Sequence, residues 1–320
     1  MLEGVARRLF GQAGNGTGGG LPAEKPKRPK IGLALGGGAA RGWGAIGVVR
    51  RLREAGIDFD VVAGTSMGAV VGACHLAGRL DQLEAFATEL TPRRVFSLLD
   101  LHIGGSGLVN GDRLADLIVS KLADIRIEDL PRPFTAVATE LSSGHEIWLN
   151  SGRLIDSLRA SYALPGVFEP VRVGRRLLVD GALVNPVPVS VCRALGADLV
   201  IAANFASDTF AHGTVVQTNG PDEGEGALER AERGLLRRFF GGSPDKPGLT
   251  GVMMESFNII QDRITRSRLA GDPPDVMIAP RLGHIGLFDF HRGREAIDIG
   301  AAAAGRAVAD IAALIAECTR

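Results

Sequence analysis

Val61-Val62-Ala63-Gly64-Thr65-Ser66-Met67-Gly68-Ala69-Val70-Val71-Gly72-Ala73-Cys74 runs from an apolar strand through a tight turn into an apolar helix. The turn, Gly64 to Gly68, has the G-x-S-x-G spacing of a nucleophile elbow. Glycines flank such a serine because the chain passes close to itself there, while the serine takes a strained backbone conformation that lifts its hydroxyl above the sheet. The helix opening at Met67 adds its positive N-terminal end, where developing negative charge is favoured. The plain alternative is a glycine-rich turn with a structural serine. What decides between them lies at the ends of the neighbouring strands.

Upstream, Ile31 to Leu35 reads as a short buried strand that opens through Gly36-Gly37-Gly38-Ala39-Ala40-Arg41-Gly42 into a helix from Trp43 to Ala55. Backbone N–H groups released at such a strand-to-helix turn converge on one point and bind an anion or an oxyanion. A dinucleotide fingerprint would need a third glycine where Arg41 stands, and an acidic residue ending the second strand. Asp58 and Asp60 instead precede that strand, which argues against a nucleotide. Downstream, Arg175 to Ala182 is a strand that ends in Asp180-Gly181. Asp-Gly is first a turn signal. A carboxylate at a strand end facing an activated serine is also placed to take the hydroxyl proton, or to orient the group that does.

The elements between these motifs alternate strand and helix, as a three-layer α/β/α fold around a mostly parallel sheet requires. Helices are expected over Ala69 to Gly78, Leu80 to Leu90, Arg113 to Ala123, Leu154 to Tyr162, Asn185 to Leu195, Val252 to Leu269 and Arg292 to Ala316. Further strands are expected over Phe134 to Thr139, His145 to Leu149, Asp198 to Ala203 and Val276 to Ala279. Residues 1 to 29 form a flexible tail, residues 30 to 320 one domain, and about 206 to 250 a polar insert within it. Phe96 to Asp112 reads as an apolar, glycine-rich loop. In the insert, Ala227 to Phe240 has a basic amphipathic pattern that would pack on the domain or lie on an anionic membrane.

Basic and acidic residues balance at 36 each, which removes general nucleic-acid binding from the candidate functions. Cys74, Cys192 and Cys318 are odd in number and far apart, so neither a disulfide framework nor a metal site is expected, and a reducing compartment is. No unbroken apolar run reaches the roughly 18 residues of a membrane span, and no secretory leader is legible, so the expected location is the cytoplasm or the inner face of the membrane.

With the glycine loop at Gly36 to Gly42, the elbow at Gly64 to Gly68 and Asp180-Gly181-Ala182 in this order, the chain resembles the patatin-like phospholipases, including the catalytic domain of neuropathy target esterase. Supporting stretches are Ala160 to Phe168 and Asn185-Pro186-Val187-Pro188. The resemblance runs from Ile31 to Ala203 and more loosely through the closing helices. It implies hydrolysis of phospholipid or other acyl esters, with peripheral membrane contact and no cofactor. It further implies a dyad of Ser66 and Asp180 without histidine, and an oxyanion site built from the backbone of Gly36, Gly37, Gly38 and Met67. Arg41 occupies the basic position of the family loop, as a loop-stabilising or substrate-binding residue. Two alternatives stay open. One is a Ser-His-Asp triad, for which His212, His284 and His291 follow Asp180 in the required order. The other is a regulatory or scaffolding protein on the same fold, although a pure binding module has no need of all three motifs.

Overall fold

A computed structural model describes residues 28–98, 125–208, 242–243, 246–247 and 249–319. Residues 1–27 of the N-terminal tail, His102, the helix expected over Arg113 to Ala123, His212 and the basic segment Ala227 to Phe240 lie outside the described residues.

The principal sheet contains β1 (Ile31–Leu35), β2 (Val61–Thr65), β3 (Phe134–Glu140), β4 (Glu146–Leu149), β5 (Val171–Val173), β6 (Arg176–Asp180), β7 (Leu199–Ala203) and β10 (Val276–Ile278). Between β7 and β10, Gly242–Ser243 (β8) and Lys246–Pro247 (β9) make a separate two-stranded ladder. The order across the principal sheet is β10-β7-β1-β2-β3-β6-β5, with β4 also on β3. β10, β7, β1, β2 and β3 are mutually parallel, whereas β4, β6 and β5 add antiparallel pairings. Every residue of β1, β2 and β7 is buried, which is why these strands read as continuous apolar runs.

The helices are α1 (Gly44–Glu54), α2 (Met67–Leu76), α3 (Leu80–Glu89), α4 (Pro92–Leu98), α5 (Leu154–Tyr162), α6 (Val189–Ala194), α7 (Leu249–Gly271) and α8 (Gly293–Cys318). Successive strand side chains point to opposite faces, and two cores result. Ile31, Leu33 and Leu35 join α1, α2, α5 and α8 in the larger core; Ala34, Val61, Ala63, Val200 and Ala202 meet Val189, Val191 and Cys192 of α6 in the smaller one. The expected three-layer α/β/α architecture is present.

Three local expectations change. Thr91-Pro92 opens α4 as well as ending α3: the Thr91 hydroxyl accepts from Arg94 N–H at 3.2 Å, and proline suits a first helical turn. Phe96 to Leu98 is therefore helical, not loop. β5 has no counterpart in the sequence reading; its three residues are too few to show a period. Finally, α8 together with the turn before it is long and apolar enough by length and composition to cross a membrane, although arginines and acids interrupt its apolar residues. One stripe of it, including Ala296, Ile297, Gly300, Ala304 and Ile311, is buried in the protein.

The contact between α8 and α1 is backbone against backbone. A Cβ on Gly47 would stand 2.0 Å from Ile297 O, and one on Gly300 would stand 2.0 Å from Gly44 O. Small residues set this helix spacing, and the alanines of α8 continue the close approach.

Candidate active site

The site is assembled by the way β3 divides one of its edges. Along that edge Ala63, Gly64 and Thr65 of β2 pair parallel to Thr135, Ala136 and Val137, and at the next residue, Ala138, the partner becomes Asp180 of β6, running antiparallel. β4 occupies the opposite edge over the same residues. The carboxyl ends of β2 and β6 therefore meet head-on, one residue apart on β3. Ser66, following β2, is brought against Asp180, ending β6. Close packing holds the junction, because a Cβ on Gly181 would lie 2.3 Å from Val137 O.

Ser66 has φ 55° and ψ −126°, the left-handed backbone of an elbow. The two flanking glycines are required by approach: a Cβ on Gly64 would stand 2.5 Å from Ala69 N, and one on Gly68 would stand 2.3 Å from Leu35 O. Ser66 Oγ donates to Asp180 Oδ2 at 2.8 Å. The other carboxylate oxygen, Oδ1, accepts from Ala182 N–H at 2.8 Å. The aspartate backbone is pinned as well, with Asp180 N–H donating to Ala163 O and Thr139 Oγ1 donating to Asp180 O. Burial raises the carboxyl from its ordinary 3.8 to about 7, against the opposing effect of the Ala182 and Ser66 hydrogen bonds. Near neutral pH the group can therefore both take up and release a proton.

Ser161 ties the two halves together. Its Oγ accepts from Ser66 N–H at 2.9 Å and donates to Val137 O at 2.6 Å. Sequence reasoning placed Ser161 within a supporting stretch without a role; its partners are distant in sequence and leave no local pattern.

The glycine loop differs from expectation in which amides it offers. Gly36 N–H donates to Ala203 O at 2.9 Å and Gly37 N–H to Pro186 O at 3.0 Å. Both amides are spent on holding the loop, which removes Gly36 and Gly37 as oxyanion donors. Gly38, Ala39 and Met67 line the cleft, and no acceptor takes their N–H groups among the described residues. Ala39, with φ 47°, was not foreseen, because a positive φ at alanine has no sequence signal. Arg41 is 4% exposed, is absent from the cleft wall, and donates its backbone N–H to Gly38 O.

Ser66 and Asp180 sit in a cleft of about 660 Å³, counting its open mouth. Its wall is otherwise largely apolar, with Val70, Leu164, Phe168, Phe257, Leu287, Phe288 and Phe290, and it includes the buried Gln261 of α7. No histidine lines the cleft among the described residues. His284 pairs with Glu295 at 2.8 Å, and His291, though adjacent to Phe290, is not part of the wall. No group of side chains suited to hold a metal occurs among the described residues.

Comparison with known proteins locates this arrangement. The family model for patatin-like phospholipases matches residues 33–193, which include the glycine loop, Ser66 and Asp180. An uncharacterized NTE family protein of Mycobacterium bovis is 35% identical over 88% of this chain and 91% of its own length. A protein named as a lysophospholipase from Aspergillus oryzae is 26% identical over 84% of this chain and 17% of its own. Among solved structures, VipD from Legionella pneumophila aligns with a TM-score of 0.45 and 14% identity, covering 89% of this chain and 67% of that one. Similarity to the mycobacterial protein extends well past the matched span on the carboxyl side. The chain belongs to the patatin-like phospholipase family.

Proposed function

We propose that the protein hydrolyses carboxylic esters of lipids, with Ser66 as nucleophile and Asp180 as its base. The observation that carries this reading is the 2.8 Å hydrogen bond from Ser66 Oγ to Asp180 Oδ2 in an apolar cleft. Ionised Asp180 takes the hydroxyl proton as Ser66 Oγ bonds to the ester carbonyl carbon. The carbonyl oxygen becomes the oxyanion and is met by N–H groups of Gly38, Ala39 and Met67. Collapse breaks the bond to the alcohol, which leaves with the proton from Asp180. Water then attacks the acyl-serine by the same route, releasing the acid and regenerating Ser66. Arg41, buried behind the loop, serves to hold it.

Hydrolysis of p-nitrophenyl esters and phospholipid vesicles, with mass spectrometry after a fluorophosphonate probe, tests this. We expect the probe to add to Ser66, and Ser66→Ala or Asp180→Asn to lower turnover by about 10³-fold or more while the protein stays folded. Activity that survives Ser66→Ala, or that vanishes with His284→Ala or His291→Ala, would defeat the assignment. A folded wild type without turnover would favour the binding-protein alternative.

The substrate class also implies contact with a lipid surface. Val252, Met253, Ile259 and Ile260 are exposed on α7, the helix that supplies Phe257 and Gln261 to the cleft, and Arg263 is exposed on the same side. We expect sedimentation with phosphatidylglycerol vesicles, weakened about tenfold by Met253→Asp with Ile260→Asp. Equal partitioning of the variant and the wild type would remove α7 from the membrane contact.

A further inference from the structure

Gln261 is one of the few polar side chains in a mostly apolar cleft wall. The residue is 8% exposed, and its carboxamide is not among the buried polar atoms left without a partner; what it exposes belongs to the cleft. Its backbone is fully engaged in α7, where its carbonyl accepts from Thr265 Oγ1 at 2.7 Å. The side chain reaches the reacting end of the cleft. A Cβ on Gly37 would stand 3.6 Å from Gln261 Nε2 and 3.4 Å from Ser66 Cβ. The carboxamide and the serine thus flank the same glycine.

A carboxamide brings two donor hydrogens and an acceptor, and in a mostly apolar cleft a few such polar groups fix the orientation of what binds. A bound molecule with matching groups would be held there. An acyl chain has none to offer and is served by Val70, Leu164, Phe168, Phe257 and Leu287. The alcohol side of an ester can offer both an acceptor and a hydroxyl donor, beside the scissile bond. We propose that Gln261 forms a hydrogen-bonding subsite for the alcohol portion of the substrate, selecting esters of hydroxyl-bearing alcohols of the glycerol type over esters of plain aliphatic alcohols. The assignment rests on the ester-hydrolase reading and adds a specificity determinant to it. Gln261 is a positioning residue: it leaves the bond-making to Ser66 and acts on where the alcohol lies.

The test is the ratio of kcat/KM for glyceryl monobutyrate to that for propyl butyrate, which share an acyl group and differ in hydroxyls. The wild type is expected to favour the glyceryl ester by about tenfold or more, since a site built to bond a hydroxyl discriminates against an analogue lacking it. In Gln261→Met, which keeps length and apolar volume, the ratio should fall to about one, whatever happens to either rate alone. An unchanged ratio would overturn the subsite, because a general loss of fold or of oxyanion stabilisation slows both esters alike. A wild-type ratio near one overturns it without any variant, which covers the case of a Gln261→Met protein that does not fold. Wild type inactive on both esters and on p-nitrophenyl butyrate would instead defeat the ester-hydrolase reading beneath it.

Discussion

A buried carboxyl raised to about 7 sets the proposed chemistry of Asp180 against its contribution to stability. As the proposed base it must be ionised, so kcat/KM should rise about tenfold per pH unit below 7 and level off above it, reaching about a hundredth of the plateau at pH 5. A flat pH–rate profile between 5 and 8 would contradict this. Stability runs the other way. Because the folded carboxyl titrates above its unfolded value, its contribution is fully present below about pH 4 and is lost as pH rises through about 7. Asp180→Asn removes that loss, and its amide can still accept from Ala182 N–H while donating to Ser66. The variant should be inactive but more stable than the wild type at pH 8, by an amount on the order of 4 kcal/mol that vanishes towards pH 4. Thermal unfolding at the two pH values checks it. Ser66 and Asp180 were legible in the sequence because elbow and Asp-Gly turn are local patterns. The amides of Gly36 and Gly37 were misread because their acceptors, Ala203 and Pro186, belong to segments that only tertiary structure brings near. Gln261 was invisible for the same reason: a glutamine within a helix looks like any other until the cleft surrounds it.

Among the elements, the head-on junction of β2 and β6 is the least forgiving. The strand pattern locates both, yet it carries no direction. In the molecule they approach from opposite ends along β3, which is what closes the distance from Ser66 to Asp180. Ser161 is the strut across that junction. Ser161→Ala leaves Ser66 N–H and Val137 O without their partner, so a loss of about 1–3 kcal/mol of stability should accompany a fall in kcat. Denaturant unfolding and steady-state kinetics measure the two; an unaffected kcat would show that the elbow holds its shape alone. At Gly181 an alanine would meet Val137 O, and we expect Gly181→Ala to reduce activity more than Ser161→Ala does.

For the whole molecule, the layered architecture followed from apolar runs alternating with amphipathic ones, while the contact of α8 with α1 did not. An alanine-rich helix announces that it can pack closely without naming its partner. Gly47→Leu forces α1 and α8 apart where there is no space for a Cβ, and overpacking of this kind costs about 1–3 kcal/mol or more, readable as a lowered Tm. α1 follows closely on the glycine loop, so what clamps α1 also steadies the part of that loop that lines the cleft. The clamp is made of residues translated long after the loop itself. On the ribosome, the elbow and the loop emerge early, yet the helix that braces them appears only after the rest of the sheet has been synthesised. A nascent chain arrested before residue 293 should therefore fail to react with a serine-directed probe, and one released after α8 should react. Synthesis itself would keep an acyl hydrolase silent until its lipid-facing cleft is complete.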